Sequence, residues 1–192
     1  MVPGTSVVLK GANGAGKTTL LRLVATLLRP SSGTGHVCGH NLKGSGDKIR
    51  EHVSYVSARG TLYDDLTAAE NLQFSARMCG APADDSKIDE LLTLAGLESA
   101  RDFRVRTFST GMRRRLSIAS LRLRPVDLAL MDEPYSGLDP DGVRMVDGLI
   151  ADLLGRGTTV MVATHLEGEA TRQATETYAI RDGRLETIEA GS

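Results

Sequence analysis

The run Gly11-Ala12-Asn13-Gly14-Ala15-Gly16-Lys17-Thr18 meets the spacing G-x-x-x-x-G-K-[ST] without a gap. Glycines at these positions let the backbone turn successive N–H groups inward, so a helix that starts here opens on an anion-binding nest. Lys17 adds a mobile positive charge for β- and γ-phosphates, and the Thr18 hydroxyl is of the type that ligates Mg²⁺. The pattern predicts a nucleoside triphosphate held by residues 11–18, with Thr19 next along the helix.

A second set of oxygen donors stands at Asp132-Glu133, directly after the apolar run Leu128-Ala129-Leu130-Met131. A carboxylate at the C-terminal end of a buried strand can hold Mg²⁺ directly or through water. Glu133 then points where a water must be polarised for in-line attack on a γ-phosphate. Ser109-Thr110-Gly111-Met112 opens a helix with a hydroxyl, a glycine and N–H donors, the parts of a second anion site. The arginines 113–115 behind it read as a solvated face. A strand through His36-Val37-Cys38-Gly39-His40 would align three soft metal ligands, although a pleat coincidence on a solvated strand explains the spacing more simply.

These groups need elements to position them. Val7-Val8-Leu9 reads as a short buried strand before the glycine loop. Leu20, Leu21, Val24, Leu27 and Leu28 recur at helical spacing after it, up to a stop at Arg29-Pro30-Ser31-Ser32-Gly33. A β segment through Gly35–Leu42 and a turn at Gly44-Ser45-Gly46 precede a strand at His52–Val56. The middle turns helical. Thr67-x-x-Glu70 is a capping box for Thr67–Cys79, and Ile88, Leu91, Leu92 and Ala95 mark a second helix stopped by Gly96. A third runs from about Gly111 to Leu123, with Leu116, Ala119, Ser120 and Leu123 inward. The α/β pattern resumes with Leu128–Met131, a helix capped by Asp139-Pro140 and closed by Gly155, a strand at Thr158–Thr164, and a hairpin over Tyr178–Ile188 turning at Asp182-Gly183. This alternation implies an α/β fold with a mostly parallel sheet flanked by helices. One domain is expected, with residues 1–63 and 124–192 as its α/β core and 64–123 as a helical subdomain.

Bulk properties narrow the classes. With 41% hydrophobic and 24% charged residues, the 192-residue chain has the composition of a soluble globular domain. A formal net charge of −1 argues against nucleic acid as a partner. No apolar run approaches the ~20 residues of a membrane span, and the N-terminus lacks the pattern of a signal peptide. A cytoplasmic protein is expected, reaching a membrane only through a partner. Cys38 and Cys79 lack CxxC spacing and are expected to be reduced thiols.

Taken in order, the motifs resemble those of the ABC ATPase family. Gly11–Thr18 is similar to Walker A, Ser109-Thr110-Gly111-Met112 to the signature loop, and Asp132-Glu133 to Walker B with its catalytic glutamate. Ser136-Gly137-Leu138-Asp139 resembles the D-loop, and His165 after Ala163-Thr164 resembles the switch histidine. The resemblance implies a P-loop NTPase fold with an inserted helical subdomain, its N-terminal antiparallel strands largely missing. It also implies ATP and Mg²⁺, a head-to-tail homodimer or a heterodimer of ABC domains, and a transmembrane permease partner at the cytoplasmic face. Carried over by position, residues 11–17 with Thr19 would hold the phosphates, and Thr18 and Asp132 would serve Mg²⁺. Glu133 would act as general base, and His165 would hold the γ-phosphate and Glu133 in register. Ser109, Thr110, Gly111 and Met112 would reach the ATP of the partner subunit, and Asp139 would shape the seam.

Two departures from the family pattern stand out. Where the family has a glutamine after the second β segment, Tyr55-Val56-Ser57-Ala58-Arg59 offers Ala58 or Ser57. With Met1-Val2-Pro3-Gly4 so close to the glycine loop, the family's adenine-stacking aromatic is expected to be missing, and weak ATP affinity and poor base selectivity are expected with it. The segments Phe74–Gly80, Phe108–Arg115 and Met131–Asp139 are similar to the haem-exporter ATPase of cytochrome c biogenesis. Drug, lipid or polysaccharide exporters are alternatives, as is a soluble or regulatory ABC ATPase with weak turnover.

Overall fold

The computed structural model describes residues 2–57, 61–82, 84–165 and 174–188, in two compact units. The first comprises Met1–Tyr55, Val126–Glu133 and Ile150–Ser192; the second comprises Val56–Pro125 and Pro134–Leu149.

The first unit is built on a six-stranded sheet. In chain order its strands are β1 (Ser6–Lys10), β4 (Val53–Val56), β5 (Leu128–Asp132), β6 (Thr159–Ala163), β7 (Glu176–Arg181) and β8 (Arg184–Ile188). Across the sheet the order is β4-β5-β6-β1-β7-β8. β6 pairs in parallel with both β5 and β1, β1 pairs in parallel with β7, and β7–β8 is antiparallel. Every residue of β5 and β6 is buried, which is why these strands are near-continuous apolar runs, broken only at Asp132 and Thr159, rather than alternating ones. The β7–β8 hairpin turns on Asp182 (φ 47°) and Gly183 (φ 73°), the two left-handed residues of a type I′ turn.

Three local expectations are corrected here. The helix after the glycine loop, α1 (Lys17–Val24), is shorter than the leucine spacing suggests. It closes in a Schellman motif, with Thr26 left-handed (φ 60°), its N–H on the Leu23 carbonyl, and the Leu27 N–H on that of Arg22. Leu27 and Leu28 therefore lie outside the helix, 58% and 42% exposed. The segment 35–42 is a hairpin, β2 (His36–Val37) against β3 (His40–Asn41), turning on Cys38 (φ 48°) and Gly39 (φ 78°). The turn breaks the pleat that would have put His36, Cys38 and His40 on one face. Residues 46–52 form a helix, α2 (Gly46–His52), and the strand begins one residue later, at Val53.

The second unit is helical. α3 (Ala68–Met78), α4 (Asp85–Ala95) and α5 (Thr110–Ala119) bury Leu72, Ile88, Leu91, Leu92 and Leu116 in one cluster with Val105. The Thr67 hydroxyl accepts from the Glu70 N–H at 3.1 Å, and the Glu70 carboxylate accepts from the Thr67 N–H at 2.8 Å, so the capping box forms. Gly96 ends α4 in the left-handed conformation (φ 61°). α5 ends at Ala119, sooner than residue 123, and passes into a 3₁₀ turn at Ser120–Arg122. The last helix, α6 (Pro140–Gly155), has residues 140–149 in the second unit and 150–155 in the first.

Candidate functional site

The glycine loop leaves β1 and enters α1 through three residues with positive φ: Gly11 (156°), Gly14 (83°) and Gly16 (108°). A Cβ on Gly11 would lie 3.1 Å from the Ile180 carbonyl and 3.2 Å from the Ala15 Cβ, so a side chain there would crowd β7 and the loop itself. At Gly14 and Gly16 a Cβ would meet nothing within 4 Å, so those positions need glycine for conformation rather than space. Ala12, Asn13, Gly14 and Thr19 are exposed, while Lys17 is only 6% exposed. The Lys17 ammonium donates to the carbonyls of Gly11 (2.6 Å) and Ala12 (3.3 Å). A cavity of about 850 Å³ opens beside the loop, lined by residues 10–15 and 179–183 with Ile188.

Parallel pairing brings the C-terminal end of β5 to this loop. The Thr18 hydroxyl donates to Asp132 Oδ2 at 2.8 Å across 114 residues of sequence. Asp132 is 2% exposed, and with Thr18 it forms an all-oxygen donor set that fits a small, hard cation such as Mg²⁺. Glu133 leaves the strand in the left-handed region (φ 49°), its N–H donating to the Ala163 carbonyl of β6 at 2.8 Å. Its Oε1 lies 3.7 Å from Lys17 Nζ and 2.9 Å from His165 Nδ1, and its Oε2 accepts from the His165 N–H at 3.4 Å. His165 is exposed, with Nδ1 turned to the carboxylate. Lys17, Thr18, Asp132, Glu133 and His165 thus converge within the first unit.

The remaining motif residues lie in the second unit. Ser109 caps α5, its hydroxyl accepting from the Met112 N–H at 3.2 Å, with Ser109 and Thr110 exposed and Gly111 and Met112 partly so. A Cβ on Gly111 would sit 3.6 Å from the Gly137 carbonyl, so residues 109–112 and 136–139 run side by side. The Asp139 carboxylate accepts from the Gly142 N–H at 2.8 Å and caps α6. Of the two positions weighed for the absent glutamine, Ala58 lies outside the described residues, and Ser57 presents its carbonyl to Arg114.

Three residues near these motifs escaped the sequence. The Tyr55 hydroxyl donates to Asp132 Oδ2 at 3.5 Å. Burial, chiefly, pushes its phenol above the usual tyrosine range; a hydrogen bond with Arg22 opposes this, and the Asp132 charge adds to it. Asn71, 1% exposed, accepts from the Tyr63 N–H and donates to the carbonyls of Tyr63, Leu66 and Thr67, fixing the loop before α3. Arg114 is buried at 4%, not solvated. Its helical neighbours Ile118 and Leu121, at i+4 and i+7, were the available signal: they put position 114 on an apolar stripe.

Comparison with known proteins gives concordant matches. The sequence pattern of the family described as ABC transporter matches residues 1–136. The chain is 39% identical over 178 residues to the Nod factor export ATP-binding protein I of Ralstonia nicotianae, covering 92% of this chain but 56% of that protein. It is 38% identical over 165 residues to the cytochrome c biogenesis ATP-binding export protein CcmA 2 of Cupriavidus metallidurans, covering 86% and 78%. Among solved structures it superposes on a dimeric ATP-binding cassette in a post-hydrolysis state with ADP and Pi, at a TM-score of 0.86 and 25% identity, over 97% of this chain and 87% of that one.

Proposed function

The chain belongs to the ABC transporter family, and from that premise we propose that it binds and hydrolyses ATP as the motor subunit of an exporter. The observation that carries this reading is the meeting of Lys17, Thr18, Asp132, Glu133 and His165 within one unit. Residues 11–17 and Thr19 cradle the phosphates of ATP. Lys17, held over the Gly11 and Ala12 carbonyls, is close enough to redirect its ammonium to the β- and γ-oxygens. Thr18 and Asp132 hold Mg²⁺, which when bound neutralises charge on the phosphate oxygens. Glu133 Oε takes the proton of the attacking water while the bond from the γ-phosphorus to the bridging oxygen breaks, giving ADP and phosphate. His165, its Nδ1 against Glu133, keeps that carboxylate oriented, and its other ring nitrogen is left to meet the γ-phosphate.

Ser109, Thr110, Gly111 and Met112 form a helix start exposed at Ser109 and Thr110, which supports their use against the nucleotide of a second ABC domain, in a homodimer or heterodimer. Asp139 holds the adjoining turn at that seam. The dimeric solved neighbour supports this arrangement. The partner across the membrane is a permease and the site of action is its cytoplasmic face; among the described residues no helix is long and apolar enough to cross a bilayer. Relatives named for Nod factor export and for cytochrome c biogenesis are matched at 39% and 38% identity, so haem export is one form of this reading beside other exported cargoes.

The reading is tested by phosphate release with Mg²⁺-ATP. The parent turns over; Lys17→Ala loses nucleotide affinity by about 100-fold, the scale of one charge-assisted contact. Equal binding of ATP by parent and Lys17→Ala would overturn it.

A further inference from the structure

We propose that Arg114 is a positioning residue that links the signature loop to the backbone beside Glu133. It lies on α5 one turn after Thr110, and its guanidinium is almost wholly buried. Nη1 donates to the Ser57 carbonyl at 2.6 Å and Nε donates to the Pro134 carbonyl at 3.4 Å. The chain enters the second unit after Tyr55 and again after Glu133. One side chain therefore holds both entry segments within two residues of the crossing. Both acceptors are main-chain atoms, so the link fixes backbone rather than a mobile side chain.

The choice of residue has a physical reason. A buried guanidinium is costly to desolvate, and an apolar side chain would fill the same stripe beside Ile118 and Leu121 without needing partners. What arginine adds is a rigid planar fork that addresses two carbonyls at fixed geometry. Arg113 and Arg115 do different work: Arg113 pairs with Asp64, and Arg115 donates to the Ala95 carbonyl at 3.0 Å. Glu133, bonded directly to Pro134, sits at φ 49°, a conformation that persists only where its surroundings over-determine it. The Pro134 carbonyl is one of those surroundings. When residues 109–112 engage a nucleotide, a shift of α5 is carried by the Arg114 fork to the Pro134 peptide and so to the aim of the Glu133 carboxylate. The general base is thereby tuned by occupancy of the signature loop.

This rests on the ATPase reading above, and the test separates the two. Arg114→Met, nearly equal in length, and Arg114→Gln, which keeps a donor but cannot span both carbonyls, are compared with the parent in the full chain; Arg113→Gln is the control. In both Arg114 variants kcat falls about tenfold or more, while KM and nucleotide Kd stay within about twofold. By hydrogen exchange, nucleotide-dependent protection of residues 131–138 is lost and that of residues 11–18 is kept. Arg113→Gln matches the parent in all of these. A parent that releases no phosphate overturns the ATPase reading. An active parent matched by Arg114→Met in kcat and in protection of 131–138 overturns this proposal alone. Should Arg114→Met fail to fold, Arg114→Gln decides by the same criteria.

Discussion

The two units build their sites by opposite routes. In the first, the reactive groups come from points far apart in sequence: Thr18 meets Asp132 across 114 residues, and Glu133 meets His165 across 32. Parallel strand register delivers them, since Asp132 pairs with Ala163 where β5 and β6 end together. In the second, residues 109–112 are organised by a single helix start, Ser109 capping its own α5. A site assembled by topology can complete a reaction centre. A site made of one capped helix offers donors but no acid or base, and so suits a loop presented to another molecule's substrate.

The sharpest way to break that comparison is at Glu133. Glu133→Gln should lower turnover by about 10³-fold, the loss of a general base, and accumulate an ATP-loaded dimer, read by size-exclusion chromatography with ATP present. Parental phosphate release by the variant would remove Glu133 from the chemistry. Leu91→Ala should do the converse. Leu91 is fully buried in the helical cluster, and its truncation should cost about 3 kcal/mol in urea unfolding while leaving nucleotide affinity of the first unit in place. Thr67→Ala removes half of the capping box and should cost about 1 kcal/mol, again confined to the second unit.

The smallest effect expected is at Tyr55. Its pKa is raised in the folded state, so its contribution to stability is complete below the ordinary value of 10.0 and is lost as pH climbs through the folded value. Stability of the parent should therefore fall more steeply above pH ~10 than that of Tyr55→Phe, measured by denaturant titration. Equal slopes would remove the linkage.

Legibility in the sequence followed the same division. The glycine loop, the fully apolar strands, the capping box and Gly96 were readable because each is a local rule with a fixed offset. α2 was not, because Gly44-Ser45-Gly46 is dense in turn formers and nothing local marks Gly46 as a helix start rather than a turn. The hairpin at Cys38-Gly39 has no local signal, because cysteine is an unusual left-handed residue and lacks the Asn-Gly or Asp-Gly signature. Leucine periodicity overstates the length of α1, because it continues past Thr26, where the backbone has already reversed. Arg114 was hidden by its neighbours: in a run of three arginines, only the register against Ile118 and Leu121 tells the buried one from the other two. Tyr55 could be placed on a strand, but its reach to Asp132 depends on β4 lying beside β5, which is a property of the sheet order.

The left-handed backbone at Glu133 has an evolutionary corollary. A carboxylate there carries a standing conformational penalty of about 1 kcal/mol that glycine would escape. Mutational drift free of any demand for turnover would erode such a residue toward glycine or asparagine, whereas this chain carries an acid there. A pedigree of sequences at this one position would therefore serve as a fossil record of whether the motor was still running.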